Sequence, residues 1–160
     1  MGPMPTTTAL RLTGDGAIRT LTLARPERLN ALSVTLLTEL VEISRWLDAE
    51  PEVKVVIVRG EGRAFCAGFD LANFTDTDAA PPGETAELGR RMADAVTDMR
   101  PLTIAAVHGH CIGGGLVLAA ACDLRVAATS ARFAIPEVDL GIPLGWGGIP
   151  RLVRELGPAT

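Results

Sequence analysis

The apolar and polar positions of this chain alternate with two different periods, one typical of strands and one typical of helices. Leu10–Thr13 and Ile18–Leu23 alternate apolar with polar residues and flank Gly14-Asp15-Gly16. Such a pattern predicts a β-hairpin, because this turn composition supplies positive φ angles. Ser33 then stands where it can cap a helix that runs to about Ala49, with leucine and isoleucine at helical spacing.

The rest of the chain repeats the order of strand and helix. Val53–Val58 is a β-branched run, which is typical of a strand buried in a parallel sheet. The later predictions, in chain order, are a lid-like loop at Asn73–Thr85, a helix at about Ala86–Met99, a strand at Thr103–Val107, a helix from Gly113-Gly114-Gly115 through Ala121, and a strand at Leu124–Ala127. The order predicts a mostly parallel α/β fold, in which ligands bind at the carboxyl ends of the strands.

Composition narrows the class of protein. The chain has 160 residues, 48% of them hydrophobic, which suits one domain with a substantial core. Its net charge is −4 and it has no tract of basic residues, which argues against nucleic acid or an anionic membrane as a partner. No apolar run approaches a membrane span, and Met1 to Thr8 lacks the order of a signal peptide. We therefore expect a cytoplasmic protein.

The spacing and surroundings of the three cysteines also favour the cytoplasm. Cys66, Cys111 and Cys122 are an odd number at unrelated spacings, and each stands among small apolar residues. Reduced thiols in the core are therefore expected rather than a disulfide framework.

Glycine-rich loops are the first candidates for chemistry. Segments 60–70, 109–115 and 136–148 each follow a predicted strand, so they are expected to converge at one end of the sheet. Gly68 permits a tight turn that leaves the Phe69 N–H pointing outward, and the triple glycine presents N–H groups at a helix N-terminus. Two such donors would form an oxyanion hole. The alternative is that these glycines only allow tight turns and close packing.

Several common sites do not fit the sequence. No G-x-G-x-x-G opens the helix after Val107, no Gly-Lys-Ser/Thr is present, and no serine lies in G-x-S-x-G. His108, His110 and Cys111 are close in sequence, but a second cluster of ligands is missing, so no metal site is expected.

An acidic residue is the remaining candidate for general acid/base catalysis. Glu137 follows Pro136 among apolar residues just after a predicted strand, an environment that suits proton transfer by a carboxyl group. A plain surface glutamate is the alternative, and Asp139 is the competing carboxylate.

Four motifs together resemble the crotonase (enoyl-CoA hydratase/isomerase) family in order and spacing, from about Leu10 to Thr160. They are Asn30-Ala31-Leu32, Phe65-Cys66-Ala67-Gly68-Phe69-Asp70-Leu71, Ile112-Gly113-Gly114-Gly115 and Pro136-Glu137-Val138-Asp139-Leu140-Gly141. The resemblance implies a crotonase-like (ClpP/crotonase) α/β fold of repeated strand-helix units with mostly parallel sheets. It also implies a flexible N-terminus at 1–8 and an acyl-CoA-binding core at 9–160, ending before the family's C-terminal helical region.

The resemblance further implies a site for an acyl-CoA thioester. The Phe69 and Gly114 N–H groups would hold the thioester oxygen and stabilise an enolate. Contacts to CoA would come from Arg25, Arg28, Ala31, Leu32, Ala67, Gly68, Asp70 and Leu71, and the substrate pocket would include Gly113, Val117 and Pro136. CoA would be part of the substrate, and no cofactor would be bound permanently.

The carboxylates decide which family reaction is expected. Hydratases of the family use two glutamates, one after the triple glycine and one in the Pro-Glu segment, but the first position here is Val117. Because the family's isomerases also lack that glutamate, isomerase-type proton transfer by Glu137 is favoured over hydration. A third alternative is an incomplete, non-catalytic acyl-CoA-binding or assembly subunit. The family further implies a homo-oligomer, a trimer or a dimer of trimers, if the C-terminal part is present.

Overall fold

The computed structural model describes residues 2–71 and 82–158. The strands are β1 (Leu10–Thr13), β2 (Ile18–Leu23), β3 (Val55–Gly60), β4 (Leu102–Val107), β5 (His110–Ile112), β6 (Leu124–Ala127) and β7 (Arg132–Ala134). The helices are α1 (Val34–Ala49), α2 (Pro82–Thr97), α3 (Gly114–Ala121) and α4 (Gly148–Leu156), with 3-10 turns at Pro26–Arg28 and Pro136–Leu140.

Five strands form one sheet in the order β1-β2-β3-β4-β6, and β5 pairs with β7 in a second, small sheet. Among the strand pairs of the described residues, only the β1–β2 hairpin is antiparallel, since β2–β3, β3–β4, β4–β6 and β5–β7 are all parallel. The predicted mostly parallel α/β fold is confirmed. Each parallel pair is joined by a crossover, so the carboxyl ends of β3 and β4 lie at one edge, where the glycine-rich loops begin.

The main core lies between the large sheet and the helices. The Ser33 hydroxyl caps α1 by accepting from the Leu36 N–H at 3.2 Å, as the sequence predicts. The apolar stripe of α1, which includes Leu36, Leu40 and Leu47, is completely buried. Neighbouring helices pack in chain order, α1 on α2, α2 on α3 and α3 on α4. The core therefore supports α3, whose N-terminus opens toward the glycine-rich loops.

Some boundaries differ from the sequence-based expectation. Strand β3 is displaced by two residues from the predicted 53–58, because its ladder with β2 runs from Val55 to Gly60. Helix α2 begins at Pro82, so residues 82–85 of the predicted loop are helical, and proline suits the first turn of a helix. Residues 73–81 of that loop prediction lie outside the described residues. Strand β5 and helix α4 were not predicted, and the strand expected before Pro136, which is β7, was predicted without bounds. Three-residue strands are too short to show a clear period, and α4 opens on glycine and proline.

The N-terminal segment is tied to α1 by Glu39. Its carboxylate, 6% exposed, accepts from the Thr8 N–H and hydroxyl at 2.8 Å and from the Ala9 N–H at 2.9 Å. Thr7 also donates from its hydroxyl to the Leu10 carbonyl at 2.8 Å. These hydrogen bonds hold the chain against α1 just before β1 begins.

Apolar side chains remain exposed at the far edge of the large sheet and beyond it. They include Leu124 and Val126 on β6, Phe133 on β7, and Val138, Leu140 and Ile142 after it. Within residues 2–71 and 82–158, none of the helices has the length and apolar character needed to cross a membrane.

Candidate active site

The three glycine-rich loops meet beside the small sheet. The Cys66 N–H donates to the His110 carbonyl at 2.9 Å, and the Ile112 N–H donates back to the Cys66 carbonyl at 3.0 Å. The Gly113 N–H donates to the Ala134 carbonyl at 2.9 Å, at the end of β7. Segments 65–66, 110–113 and 132–134 therefore lie side by side. Loops 60–70 and 109–115 therefore converge as predicted, and loop 136–148 joins them where Glu137 lies against Gly113.

Gly68 brings the first of these loops against the second. The Leu32 N–H donates to the Gly68 carbonyl at 2.8 Å, and the Asp70 N–H donates to the Leu32 carbonyl at 3.1 Å. Because successive N–H groups of an extended segment point to opposite sides, the Phe69 N–H is directed away from Leu32. Gly68 has φ +94°, and a methyl group there would lie 2.9 Å from the Ile112 carbonyl oxygen and 3.6 Å from the Gly114 nitrogen.

Helix α3 presents its N-terminus at the same place. Gly113 precedes it with φ +49°, a conformation that strongly favours glycine. The Gly114 N–H belongs to the first turn, where N–H groups have no acceptor within the helix and carry partial positive charge. A methyl group on Gly115 would lie 2.7 Å from the Cys66 carbonyl oxygen. The triple glycine thus permits both the turn and the close approach of its neighbours.

Glu137 lies directly beside this helix start. A methyl group on Gly113 would lie 2.3 Å from Glu137 Oε1, so the carboxylate is packed against the Gly113 Cα. Glu137 Oε2 is buried and has no hydrogen-bond partner among the described residues. Asp139, the competing carboxylate, is exposed on the same 3-10 turn. A buried carboxylate oxygen without a partner carries an energetic cost, and of these two carboxylates Glu137 is the one that lies beside the helix start.

Val117 forms an apolar surface one turn into α3. It is 1% exposed, and a methyl group on Gly148 would lie 2.8 Å from Val117 Cγ2 and 2.7 Å from Leu144 Cδ2. Val117 is therefore closely packed against the segment that leads into α4. Its side chain can neither hold nor deprotonate a water molecule.

Trp146 is a site residue that the sequence analysis missed. A methyl group on Gly114 would lie 2.4 Å from the Cζ3 atom of Trp146, and one on Gly89 would lie 2.1 Å from its Cε2 atom. The Trp146 ring also meets the Phe69 ring edge-on, with centroids 5.9 Å apart and planes at 83°. A lone aromatic residue in Gly145-Trp146-Gly147-Gly148 was the available signal, because such glycines allow backbone and ring to approach closely.

Arg25 and Asp70, both expected to contact CoA, form an ion pair with each other. Arg25 Nη2 lies 2.9 Å from Asp70 Oδ2, with the arginine side chain 20% and the aspartate side chain 8% exposed. Arg28 Nη2 lies 3.3 Å from Asp70 Oδ1, but half of the Arg28 side chain is exposed. Arg25 and Asp70 therefore join the two loops that carry them. Arg28 is the better placed of the two arginines for an external anion.

The other expected CoA contacts differ in accessibility. Leu32 is completely buried and Ala31 is 9% exposed, so these residues offer mainly backbone groups. Ala67 is half-buried, and Leu71 is 68% exposed. Pro136, expected in the substrate pocket, is exposed.

Asn30 organises this region in a way that the sequence did not reveal. Its side chain accepts from the Arg25 N–H at 2.9 Å and donates to the Glu61 carbonyl at 2.9 Å and the Ala64 carbonyl at 2.8 Å. One buried amide thus joins the turn at 25–30 to the loop at 61–64.

The three cysteines are free and buried, as predicted. Burial raises the pKa of Cys66, of Cys111 and of Cys122 to about 12 in each case. Desolvation of the thiolate is the main cause, so these thiols are poor nucleophiles. In the described part of the chain, no group of three or more His, Cys, Asp or Glu residues could hold a metal ion.

Comparisons with known proteins agree with this arrangement. A family profile described as enoyl-CoA hydratase/isomerase matches residues 13–160. Mevalonyl-coenzyme A hydratase sidH of Aspergillus fumigatus is 42% identical over 144 residues, which cover 86% of this chain and 51% of that protein. The peroxisomal Delta(3,5)-Delta(2,4)-dienoyl-CoA isomerase of Arabidopsis thaliana is 37% identical over 163 residues, with 94% of this chain and 59% of that protein covered.

A solved structure from Thermobifida fusca, in complex with acetoacetyl-CoA, has the same fold. Its TM-score is 0.81 at 32% identity, and the match covers 93% of this chain and 62% of that one. The chain thus spans about half to three fifths of the length of these relatives.

Proposed function

The chain belongs to the enoyl-CoA hydratase/isomerase family, and from this premise we propose that it acts on acyl-CoA thioesters by stabilising an enolate. The position of Glu137 carries the proposal. Its carboxylate is packed against Gly113, with one oxygen buried and unpartnered, immediately beside the N-terminus of α3.

The oxyanion hole is formed by the backbone N–H groups of Phe69 and Gly114. Three features support this assignment: the Phe69 N–H faces away from Leu32, Gly114 opens α3, and Gly68 holds the two segments in contact. N–H groups fixed before the reaction stabilise the negative charge that develops on the thioester oxygen. The partial positive charge of the helix N-terminus adds to this effect.

The favoured reaction is the conversion of a 3-enoyl thioester to a 2-enoyl thioester. Glu137 removes a proton from C2, and the electron pair of that bond moves toward the thioester oxygen to give a dienolate. Glu137 then returns the proton to C4, and the double bond forms between C2 and C3. One carboxylate serves as base and then as acid, so the reaction needs no second glutamate.

Val117 is the residue that favours isomerisation over hydration. A hydratase must position a water molecule, whereas Val117 is buried against Leu144 and Gly148 and contributes no polar atom. A dry pocket suits a dienolate, because water cannot intercept it.

Hydration of a 2-enoyl thioester is the second candidate. It is favoured by the name of sidH, a hydratase at 42% identity, although the Arabidopsis relative is named an isomerase. In this mechanism Glu137 alone would hold and deprotonate the water. A third outcome is thioester binding without turnover.

CoA binding and assembly complete the proposal. Arg28, whose side chain is half exposed, supplies charge for a CoA phosphate, and the exposed Leu71 contacts the CoA chain. The apolar residues exposed on β6 and β7 support self-association as a homo-oligomer.

The test is to incubate the purified chain with a 3-enoyl-CoA and, separately, with a 2-enoyl-CoA. Double-bond position is followed by absorbance and hydration by mass. Glu137→Gln keeps the shape of the side chain but removes the base, so turnover should fall at least about a hundredfold. Asp139→Asn is the matched control, because it makes the same change to an exposed carboxylate two residues away.

The three outcomes separate the candidates. Isomerisation that depends on Glu137 and not on Asp139 supports the favoured reaction. Hydration of the 2-enoyl thioester that depends on Glu137 supports the second candidate. Measurable thioester binding without turnover supports the third candidate, a binding function. A chain that neither binds nor converts a thioester contradicts the proposal.

A further inference from the structure

We propose that Trp146 determines which acyl groups this site accepts, by forming an aromatic wall that restricts it to short acyl chains. The inference rests on the proposed function, because it concerns the acyl part of the same thioester. It goes further in assigning a role to a residue that belongs to none of the motifs shared with the family.

The position of the indole is the first observation. Its six-membered ring is packed against the Cα of Gly114, whose N–H is one of the two proposed oxyanion donors. Its other contact is with the ring of Phe69, whose N–H is the second donor, at a centroid distance of 5.9 Å. Trp146 therefore touches both residues of the oxyanion hole. When the oxyanion hole holds the carbonyl oxygen of an acyl group, the first carbons of the acyl chain lie beside the indole.

The way in which Trp146 is held is the second observation. Its φ is +57°, a left-handed conformation that costs a non-glycine residue energy and persists only where surrounding contacts impose it. On the far side the indole fits against Gly89 of α2, where a methyl group would lie 2.1 Å from the ring. The ring is thus fixed between two helices by glycines on both sides.

Arg151 anchors the backbone of the same segment. Its Nη1 donates to the Gly147 carbonyl at 3.1 Å, and its Nη2 lies 2.8 Å from Asp94 Oδ1 on α2. Only 14% of the Arg151 side chain is exposed. Because the backbone beside Trp146 is tied to α2, moving the indole to admit a longer acyl chain costs free energy.

The residues around this segment are apolar. Leu144 and Val117 are buried and pack together at Gly148, two residues after Trp146. A short apolar chain lies against this wall. Each added methylene must displace a ring held between α2 and α3, so affinity should fall with chain length.

The first experiment uses the fluorescence of Trp146 to detect ligand binding. The chain has two tryptophans, and Trp46 lies away from the site, with its Nε1 donating to the Gly2 carbonyl at 3.2 Å. In a Trp46→Phe protein the fluorescence comes from Trp146 alone, and the site is unchanged. Butyryl-CoA should shift or quench this emission, whereas CoA without an acyl group should have a much smaller effect.

Specificity is then measured by calorimetric titration of Trp146→Leu and Trp146→Phe with butyryl-CoA and decanoyl-CoA. Trp146→Leu should raise the affinity for decanoyl-CoA relative to butyryl-CoA at least about tenfold, and Trp146→Phe should give a smaller change in the same direction. Circular dichroism identifies a variant that has not folded. Since Trp146→Phe keeps an aromatic ring, it remains available if Trp146→Leu unfolds.

Three results would overturn the inference. The first is butyryl-CoA binding that leaves the Trp146 emission unchanged. The second is an unchanged ratio of decanoyl-CoA to butyryl-CoA affinity in both folded variants. The third is that the unaltered chain already binds decanoyl-CoA as tightly as butyryl-CoA. If no thioester binds at all, the proposed function fails too, and the inference falls with it.

Discussion

The carboxylate of Glu137 is packed against the Cα of Gly113, so closely that a methyl group on Gly113 would lie 2.3 Å from Oε1. Gly113 also has φ +49°, so glycine is required there both by the backbone and by the space. The residue before the helix therefore fixes the position of the proposed catalytic carboxylate.

Gly113→Ala should consequently displace Glu137 and reduce turnover on the order of a hundredfold or more. A destabilisation of about 1–3 kcal/mol should accompany it because of the backbone strain. Gly16→Ala is the matched control, since Gly16 has φ +56° but nothing within 4 Å of an added methyl group. Equal activity in the two variants would contradict the proposed position of Glu137.

A second prediction concerns the N-terminal anchor on α1. Glu39→Ala removes the acceptor of the Thr8 and Ala9 N–H groups and should lower the free energy of unfolding by about 1–3 kcal/mol. Glu42→Ala, an exposed glutamate on the same helix, should change it by less than about 0.5 kcal/mol. Urea denaturation of both variants measures the difference. If the two variants were equally stable, the segment before β1 would not be held by Glu39.

A third prediction follows from the buried thiols. Each has a pKa of about 12 in the folded chain, against an ordinary value of 9.0. At pH 8 the thiolate fraction is on the order of a thousandfold lower in the folded chain than in the unfolded one. A thiol reagent such as DTNB should therefore label the cysteines slowly in buffer and rapidly in urea. Rapid labelling of the folded chain would contradict their burial.

The same pKa shifts determine how the stability of the fold depends on pH in the alkaline range. Above pH 9 the unfolded chain loses thiol protons that the folded chain retains, so stability should fall as pH rises from about 9 toward 12. The slope is roughly 1.4 kcal/mol per pH unit for each thiol. Unfolding in urea at pH 8, 9 and 10 measures it, and Cys122→Ala should remove the contribution of one thiol. An identical slope in that variant would contradict the assignment.

The sequence predicted those parts of the fold that have a long, regular pattern. The hairpin and α1 were predicted within a residue, because Ser33 caps the helix and the apolar stripe from Leu36 to Leu47 spans about three turns. The predicted placement of Glu137 at the end of a strand was also correct, as β7 ends at Ala134. Periodicity could not reveal β5 or the bounds of β7, since three residues hold barely one repeat of the two-residue strand period.

The contacts that complete the site depend on the tertiary structure and were not predicted. The fit of Trp146 against Gly89 joins residues more than fifty positions apart, and neither residue has a pattern that points to the other. The ion pair between Arg25 and Asp70 was likewise not predicted. An arginine near a proposed phosphate site could not be told from one in a buried ion pair, because the composition is the same in both cases.

The final prediction concerns the ion pair that ties the Trp146 segment to α2. Arg151 is 14% exposed in its side chain and meets Asp94 at 2.8 Å while it also donates to the Gly147 carbonyl at 3.1 Å. Arg151→Ala should therefore lower the free energy of unfolding by about 1–3 kcal/mol, more than a surface pair contributes. Arg154→Ala is the control on the same helix, because Arg154 is 65% exposed and meets Glu155 only at 3.4 Å. Its effect should stay below about 0.5 kcal/mol.

A double-mutant cycle separates the ion pair from the other contacts of Arg151. If Arg151 and Asp94 interact directly, Arg151→Ala and Asp94→Ala should be less destabilising together than the sum of their separate effects, by about 1 kcal/mol. In the Trp46→Phe background, Arg151→Ala should also move the Trp146 emission toward longer wavelength, as the loosened segment admits water around the indole. Strict additivity together with unchanged emission would show that α2 does not hold the Trp146 segment through this pair.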